Sequence, residues 1–226
     1  NNNQIGKCYQ TFDPTSEVDS DLLPSDGGVV VIQGMGSVVS MQVIGNLLIV
    51  LASNGIWSVS GGQGVGFVAN DYSVQKISDR NASGSMSVLV VEGGLLWWNY
   101  DGIYLLTTDA GGGATVQSAT DSTIKTFYND IPKNNIAYVK GAYNPNDMLI
   151  QWLFRSTDAA SVEDYFVYDR VLNLRTNTQA FYPWTISTAL DVSGAPSVSG
   201  LVCITGSGSS QVDDIVVSNG QTVIQG

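Results

Sequence analysis

Chemistry in this chain would have to rest on carboxylates: it has 20 aspartates and glutamates, 9 lysines and arginines, and no histidine. The missing histidine removes Ser-His-Asp and Cys-His catalysis and every histidine-based zinc site. A glycosidase needs two carboxylates facing each other across a pocket. The acids are numerous enough for that, but sequence places no pair. Asp13, Glu17, Asp19 and Asp21 offer oxygens at near-alternate positions, a spacing compatible with calcium, although a solvated acidic loop is the plainer reading. Asp213-Asp214 reads as a turn pair. Gly61-Gly62-Gln63-Gly64-Val65-Gly66 lacks the strand-then-helix context of a phosphate-binding loop and reads as a connection between β units. Cys8 and Cys203 have neither CxxC nor metal-type spacing and read as two small hydrophobes. No residue is assigned a catalytic, cofactor-binding or metal-binding role.

The aromatic residues are the other candidates. Trp57, Trp97, Trp98, Trp152 and Trp184, with Tyr104, Tyr165 and Tyr168, have the size and flatness to stack on sugars. Most sit inside apolar strand-like runs, where packing is the default role. Phe181-Tyr182-Pro183-Trp184 is the best candidate for an exposed patch, with packing again the expectation.

Composition sets the frame that holds these groups. Hydrophobic residues make up 43% and charged residues 13%, too apolar for a disordered chain and too weakly charged for a coiled coil. Twenty-five glycines imply many tight turns, which an all-β fold requires. A net charge of -11 argues against a protein that grips nucleic acid, since phosphate binding depends on lysine and arginine. An acidic wall would still let DNA pass without sticking. The longest apolar run, Leu47 to Ala52, falls far short of the roughly 18 residues a membrane helix needs.

The chain also repeats itself. Ile44 to Val59 and Val91 to Leu106 both read strand, turn, strand, and align without gaps at an offset of 47 residues. Asn54-Gly55 and Asp101-Gly102 are the dipeptides favoured in type I′ hairpin turns, and Trp57 and Tyr104 follow at matching places. A period of this length suits one four-stranded propeller blade. Gly36–Val43 and Ser83–Val90 read as strands preceding the two hairpins. A looser third unit has strands at Asp147–Phe154 and Asp164–Asp169, a turn over Arg170–Thr178, and an edge strand at Ala180–Ile186, where Pro183 is tolerated. Gly200–Thr205 and Asp214–Val217 suggest a fourth. The expected fold is all-β: β-propeller blades at about 36–70, 83–118, 137–186 and 198–226, forming one region that is itself part of a larger propeller and a longer chain. One short helix is expected near 121–131, capped by Asp121 or Ser122 and ended at Pro132, with Ile124, Phe127, Tyr128 and Ile131 on one face.

The hairpin Asn46–Val59, together with Ser122–Pro132, Ala142–Asp147, Tyr168-Asp169 and Pro183-Trp184, resembles the tail nozzle propellers of short-tailed bacteriophages, the tail tubular protein B family. The resemblance spans roughly Ser37 to Ile186. It implies a structural virion protein without enzymatic activity. The protein would be a homo-oligomeric ring, six-fold in the family, lying below the portal and adaptor, passing DNA as cargo and holding fibres. Nozzle proteins are much longer than this chain and carry a platform region besides the propeller. Two other functions compete: a carbohydrate- or receptor-binding propeller, and a propeller glycosidase. The sialidase-type repeat Ser-x-Asp-x-Gly-x-Thr-Trp is not matched.

Overall fold

The structure is a computed structural model that describes residues 4–5, 30–61, 72–109, 113–186, 200–204, 214–218 and 223–225. The chain groups into two compact units, one of residues 1–82 with 108–114 and one of 83–107 with 115–226. It is all-β apart from short helical turns. Among the described residues, no helix is long and apolar enough to cross a membrane.

In the first unit, β1 (Gln4–Ile5) pairs antiparallel with β2 (Val30–Val31). A four-stranded antiparallel meander follows: β3 (Val38–Ile44), β4 (Leu47–Ala52), β5 (Gly55–Gly61) and β6 (Tyr72–Ser78), in that spatial order. Val50, Ala52, Trp57 and Val59 form one buried cluster with Val30, Ile32 and Met35. Ile49, Leu51 and Ile56, on the opposite face, are also fully buried. Strands covered on both faces carry continuous apolar runs, which explains the Leu47–Ala52 stretch.

The second unit begins with β7 (Leu89–Val91), β8 (Gly94–Asn99), β9 (Gly102–Thr108) and β10 (Ala114–Ser118), again a sequential meander. Helices α1 (Lys125–Asn129) and α2 (Lys133–Ile136) lead to β11 (Lys140–Asn144), β12 (Leu149–Phe154), β13 (Arg170–Arg175) and β14 (Ala180–Thr185), a third four-stranded meander. A three-stranded sheet closes the order: β15 (Gly200–Ile204), β16 (Asp214–Ser218) and β17 (Val223–Gln225). Leu96, Trp98 and Ile103 share a core with Ile150, Trp152, Phe154, Leu172 and Leu174. On the other face of β11–β14, Leu153 and Val171 cluster with Tyr168 and Ile186, with Leu201 of β15 against them. The first strands of these three sheets lie beside one another, β7 next to β11 and β11 next to β15.

Both repeated hairpins form, but their turns sit one residue earlier than the dipeptides suggest. Ala52 pairs with Gly55 and Asn99 with Gly102, so the loops are Ser53-Asn54 and Tyr100-Asp101. None of these four residues has positive φ, which rules out type I′. The glycines serve close approach instead. A Cβ on Gly55 would lie 2.6 Å from the Ser78 carbonyl oxygen, and one on Gly102 would lie 2.5 Å from Thr120 Oγ1. Gly55 also has φ +147°, which disfavours any side chain.

Four other expectations need correction. Ser83–Val90 is not one strand: Ser85–Ser87 form a 3-10 turn, and only Leu89–Val91 are extended. The Ser87 hydroxyl donates to the Gly84 carbonyl at 2.8 Å, and the Gly84 backbone lies against the Ala137 carbonyl with no room for a side chain. Asp164–Asp169 is not a strand, because Glu163–Phe166 form a 3-10 turn. Arg170–Arg175, expected as a turn, is the central strand β13. The helical segment is two short helices rather than one, with Pro132 preceding the second instead of ending the stretch, and it has no side-chain cap: α1 starts after Ile124, while Asp121 pairs with Lys125 at 2.8 Å. Its apolar face does pack as expected, with Tyr128 and Ile131 buried and Ile124 and Phe127 against the same core. Ala180–Thr185 is an edge strand, with Pro183 opposite Leu172.

Candidate functional site

The candidate carboxylates separate into two groups. Asp13, Glu17, Asp19, Asp21 and Asp213 lie outside the described residues, as do Cys8 and Gly62–Gly66. The described acids largely serve turns. Asp109 accepts the Gly113 amide at 2.8 Å, and Asp147 accepts from Asn144 Nδ2 at 2.9 Å. Asp169 accepts both the amide and the hydroxyl of Ser156, at 2.7 and 2.5 Å. Asp79 pairs with Lys76 at 2.5 Å, and that contact holds its carboxyl below the ordinary value. No group of three or more potential metal ligands exists among the described residues. Cys203 is half-buried in β15.

The aromatic residues mostly pack. Trp97, Trp98 and Trp152 are fully buried and Trp57 nearly so. Trp98 lies at the centre of a ring cluster with Tyr128, Trp152 and Phe154, at centroid distances of 5.1, 6.0 and 5.9 Å. Tyr104 stacks on Trp97 at 6.0 Å and donates its hydroxyl to Asp101 at 2.9 Å. Tyr168 is buried, donates to the Tyr138 carbonyl at 2.6 Å, and lies under Lys140 Nζ at 5.6 Å. Burial pushes the Tyr168 phenol up to about 12.

Trp184 is the exception, and the packing expected of it is not found: 53% of its surface is exposed. It stands on edge strand β14 two residues from Tyr182, so both lie on one face of the sheet. Their ring centroids are 5.8 Å apart and tilted by 55°. Beside Tyr182 a polar ladder crosses the neighbouring strands: Gln151 Nε2 donates to Asn173 Oδ1 at 2.8 Å, and Asn173 Nδ2 donates to the Tyr182 carbonyl at 3.1 Å. Asn173 is fully buried, so this ladder fixes the backbone that carries the aromatic pair. Arg170 donates to Thr185 at the end of the same strand. The pair can stack against a sugar ring or an apolar side chain.

A second surface was not legible as a site. The connection between β12 and β13, residues 155–169, is an ordered loop with Val162 and Phe166 exposed. Ser161-Val162-Glu163-Asp164 fits the capping-box pattern. That pattern was the one local signal that this stretch turns rather than extends. Asp164 Oδ2 accepts the Ala160 and Ser161 amides at 2.9 and 3.0 Å.

Neither a protein-family model nor a curated protein sequence matches this chain.

Proposed function

We propose that this chain contributes blades to a β-propeller in the tail nozzle of a short-tailed bacteriophage. In this reading it is a structural virion protein that forms a homo-oligomeric ring, lets ejected DNA pass and holds fibres, without catalysing a reaction. One observation carries the reading: within residues 83–226, three successive meanders stack with their first strands β7, β11 and β15 side by side. Radially repeated meanders with adjacent first strands are the arrangement of propeller blades. The net charge of -11 supports a surface that repels phosphate, and the Ser37–Ile186 resemblance supports the phage setting.

Sedimentation velocity and negative-stain electron microscopy of the full-length protein test this reading. The expected result is a closed ring of several copies with a central channel. A protein that stays monomeric throughout purification overturns it.

The exposed Trp184 favours a second reading, a carbohydrate- or receptor-binding propeller. Glycan-array binding that disappears in Trp184→Ala would support it. Truncation of so exposed a side chain should leave folding nearly untouched.

A further inference from the structure

Hairpin loops usually span roughly two to five residues, and much longer connections are uncommon. The loop between Phe154 and Arg170 exceeds that range, yet it is tied down at every stage. Asn135 Nδ2 donates to the carbonyls of Arg155 and Thr157 at 3.0 and 2.7 Å. Arg155 Nε donates to the Thr157 carbonyl at 3.1 Å, and Ser156 is held by Asp169. Asp164 gathers the Ala160 and Ser161 amides. Tyr165 stacks on Tyr138 at 4.4 Å, and Phe166 meets the edge of the same ring at 5.4 Å.

What the loop shows to solvent is selective. Val162 is 69% and Phe166 47% exposed. Asp158 and Glu163 beside them are also exposed, while the one cation of the loop, Arg155, is drawn in by the Thr157 carbonyl. Two apolar side chains on a pre-ordered turn, flanked by carboxylates, match a pocket that is apolar inside and basic at its rim.

We propose that residues 155–169 form a docking loop for a different polypeptide, one offering an apolar pocket rimmed by lysine. The proposal rests on the reading that the protein works within an assembly. A second copy of this chain is a poor source of such a rim. Its net charge is -11, and four of its five lysines are engaged: Lys76 and Lys125 pair with acids, and Lys133 and Lys140 lie over tyrosine rings.

Zero-length carboxyl-to-amine coupling in the native assembly, followed by peptide mass spectrometry, tests the loop. Asp158 or Glu163 is expected to be joined to a lysine of another polypeptide. Coupling only to copies of this chain, or no coupling at either residue, overturns the proposal. If the assembly is a ring and the loop stays uncoupled, the docking loop fails while the nozzle reading stands. If another polypeptide is captured but no ring forms, the reverse holds. Once that polypeptide is identified, Val162→Ser in the full-length protein should weaken its binding about 10-fold or more. Val162 contributes only its backbone carbonyl to the turn, so this variant keeps the fold. Unchanged affinity would also overturn the proposal.

Discussion

The indole N–H of Trp152 donates to the carbonyl of Ser87 at 3.2 Å, tying the centre of β12 to the turn that leads into β7. Both residues are fully buried, so water cannot take either role. Trp152→Phe keeps an aromatic ring near Trp98 but removes the donor. It should cost about 1–3 kcal/mol, the penalty for an orphaned buried acceptor. Trp152→Ala adds a cavity and should cost about 3–5 kcal/mol. Guanidinium unfolding midpoints measure both, and a Phe variant as stable as the parent would refute the role of this bond.

Gly102 and Thr120 supply a second test. A Cβ at 102 would meet Thr120 Oγ1 at 2.5 Å, a hydroxyl that also accepts the Ile103 amide at 3.3 Å. Gly102→Ala should destabilise by about 1–3 kcal/mol through overpacking. Thr120→Ala should relieve part of that cost, so the double variant is expected to be less than additive. Strict additivity would show that the approach of these residues does not set the requirement for glycine.

Legibility in the sequence divides along the same line, between local and distant causes. The hairpins β4–β5 and β8–β9 could be read because apolar runs broken by Asn54-Gly55 and Asp101-Gly102 are local signals. The turn type could not, because Ser78 and Thr120 approach from adjacent segments. Arg170–Thr178 read as a turn, although Arg170–Arg175 is strand β13, and Asn173 is of a type depleted in strands. In the fold its amide is satisfied by Gln151 and the Tyr182 carbonyl, a cross-strand ladder with no local trace. Tyr165-Phe166-Val167-Tyr168 read as a strand on aromatic and β-branched content. Tyr165 instead stacks on Tyr138, and Asp164 bends the chain. The exposure of Trp184 was legible only in part: its segment read as an edge strand and as the best candidate for an exposed patch, but an aromatic in a strand reads alike on a packed face and on an open one.

Tyr168 makes the fold sensitive to alkali. Its phenol is raised to about 12 by burial, against 10.0 when unperturbed. A group whose folded pKa lies above its unfolded value contributes stability that is complete below the unfolded value and is lost as pH rises through the folded one. Stability should therefore fall between about pH 10 and pH 12, by on the order of 2 kcal/mol from this residue. Comparing urea midpoints of the parent and Tyr168→Phe across that window isolates the effect. The variant should show a shallower decline, and parallel curves would contradict the assignment.

Asp164 makes the 155–169 loop sensitive to acid. The Ala160 and Ser161 amides lower its pKa from 3.8, with the Arg155 guanidinium adding a weaker attraction. For a carboxyl depressed in the folded state, the contribution is present above the unfolded value and disappears as pH falls through the folded value. The loop should thus be fully ordered near neutrality and loosen only below about pH 4. The group is solvent-facing, so the effect belongs to the loop rather than to global stability. Hydrogen exchange at the Ala160 and Ser161 amides, followed through the acid range, reads it directly. Protection should drop in the parent as Asp164 protonates. In Asp164→Asn it should be low and nearly independent of pH, because the neutral amide oxygen is a weaker acceptor than the carboxylate. Equal protection in the two proteins at pH 7 would mean that the Tyr138–Tyr165 stack, and not Asp164, holds the turn that presents Val162 and Phe166.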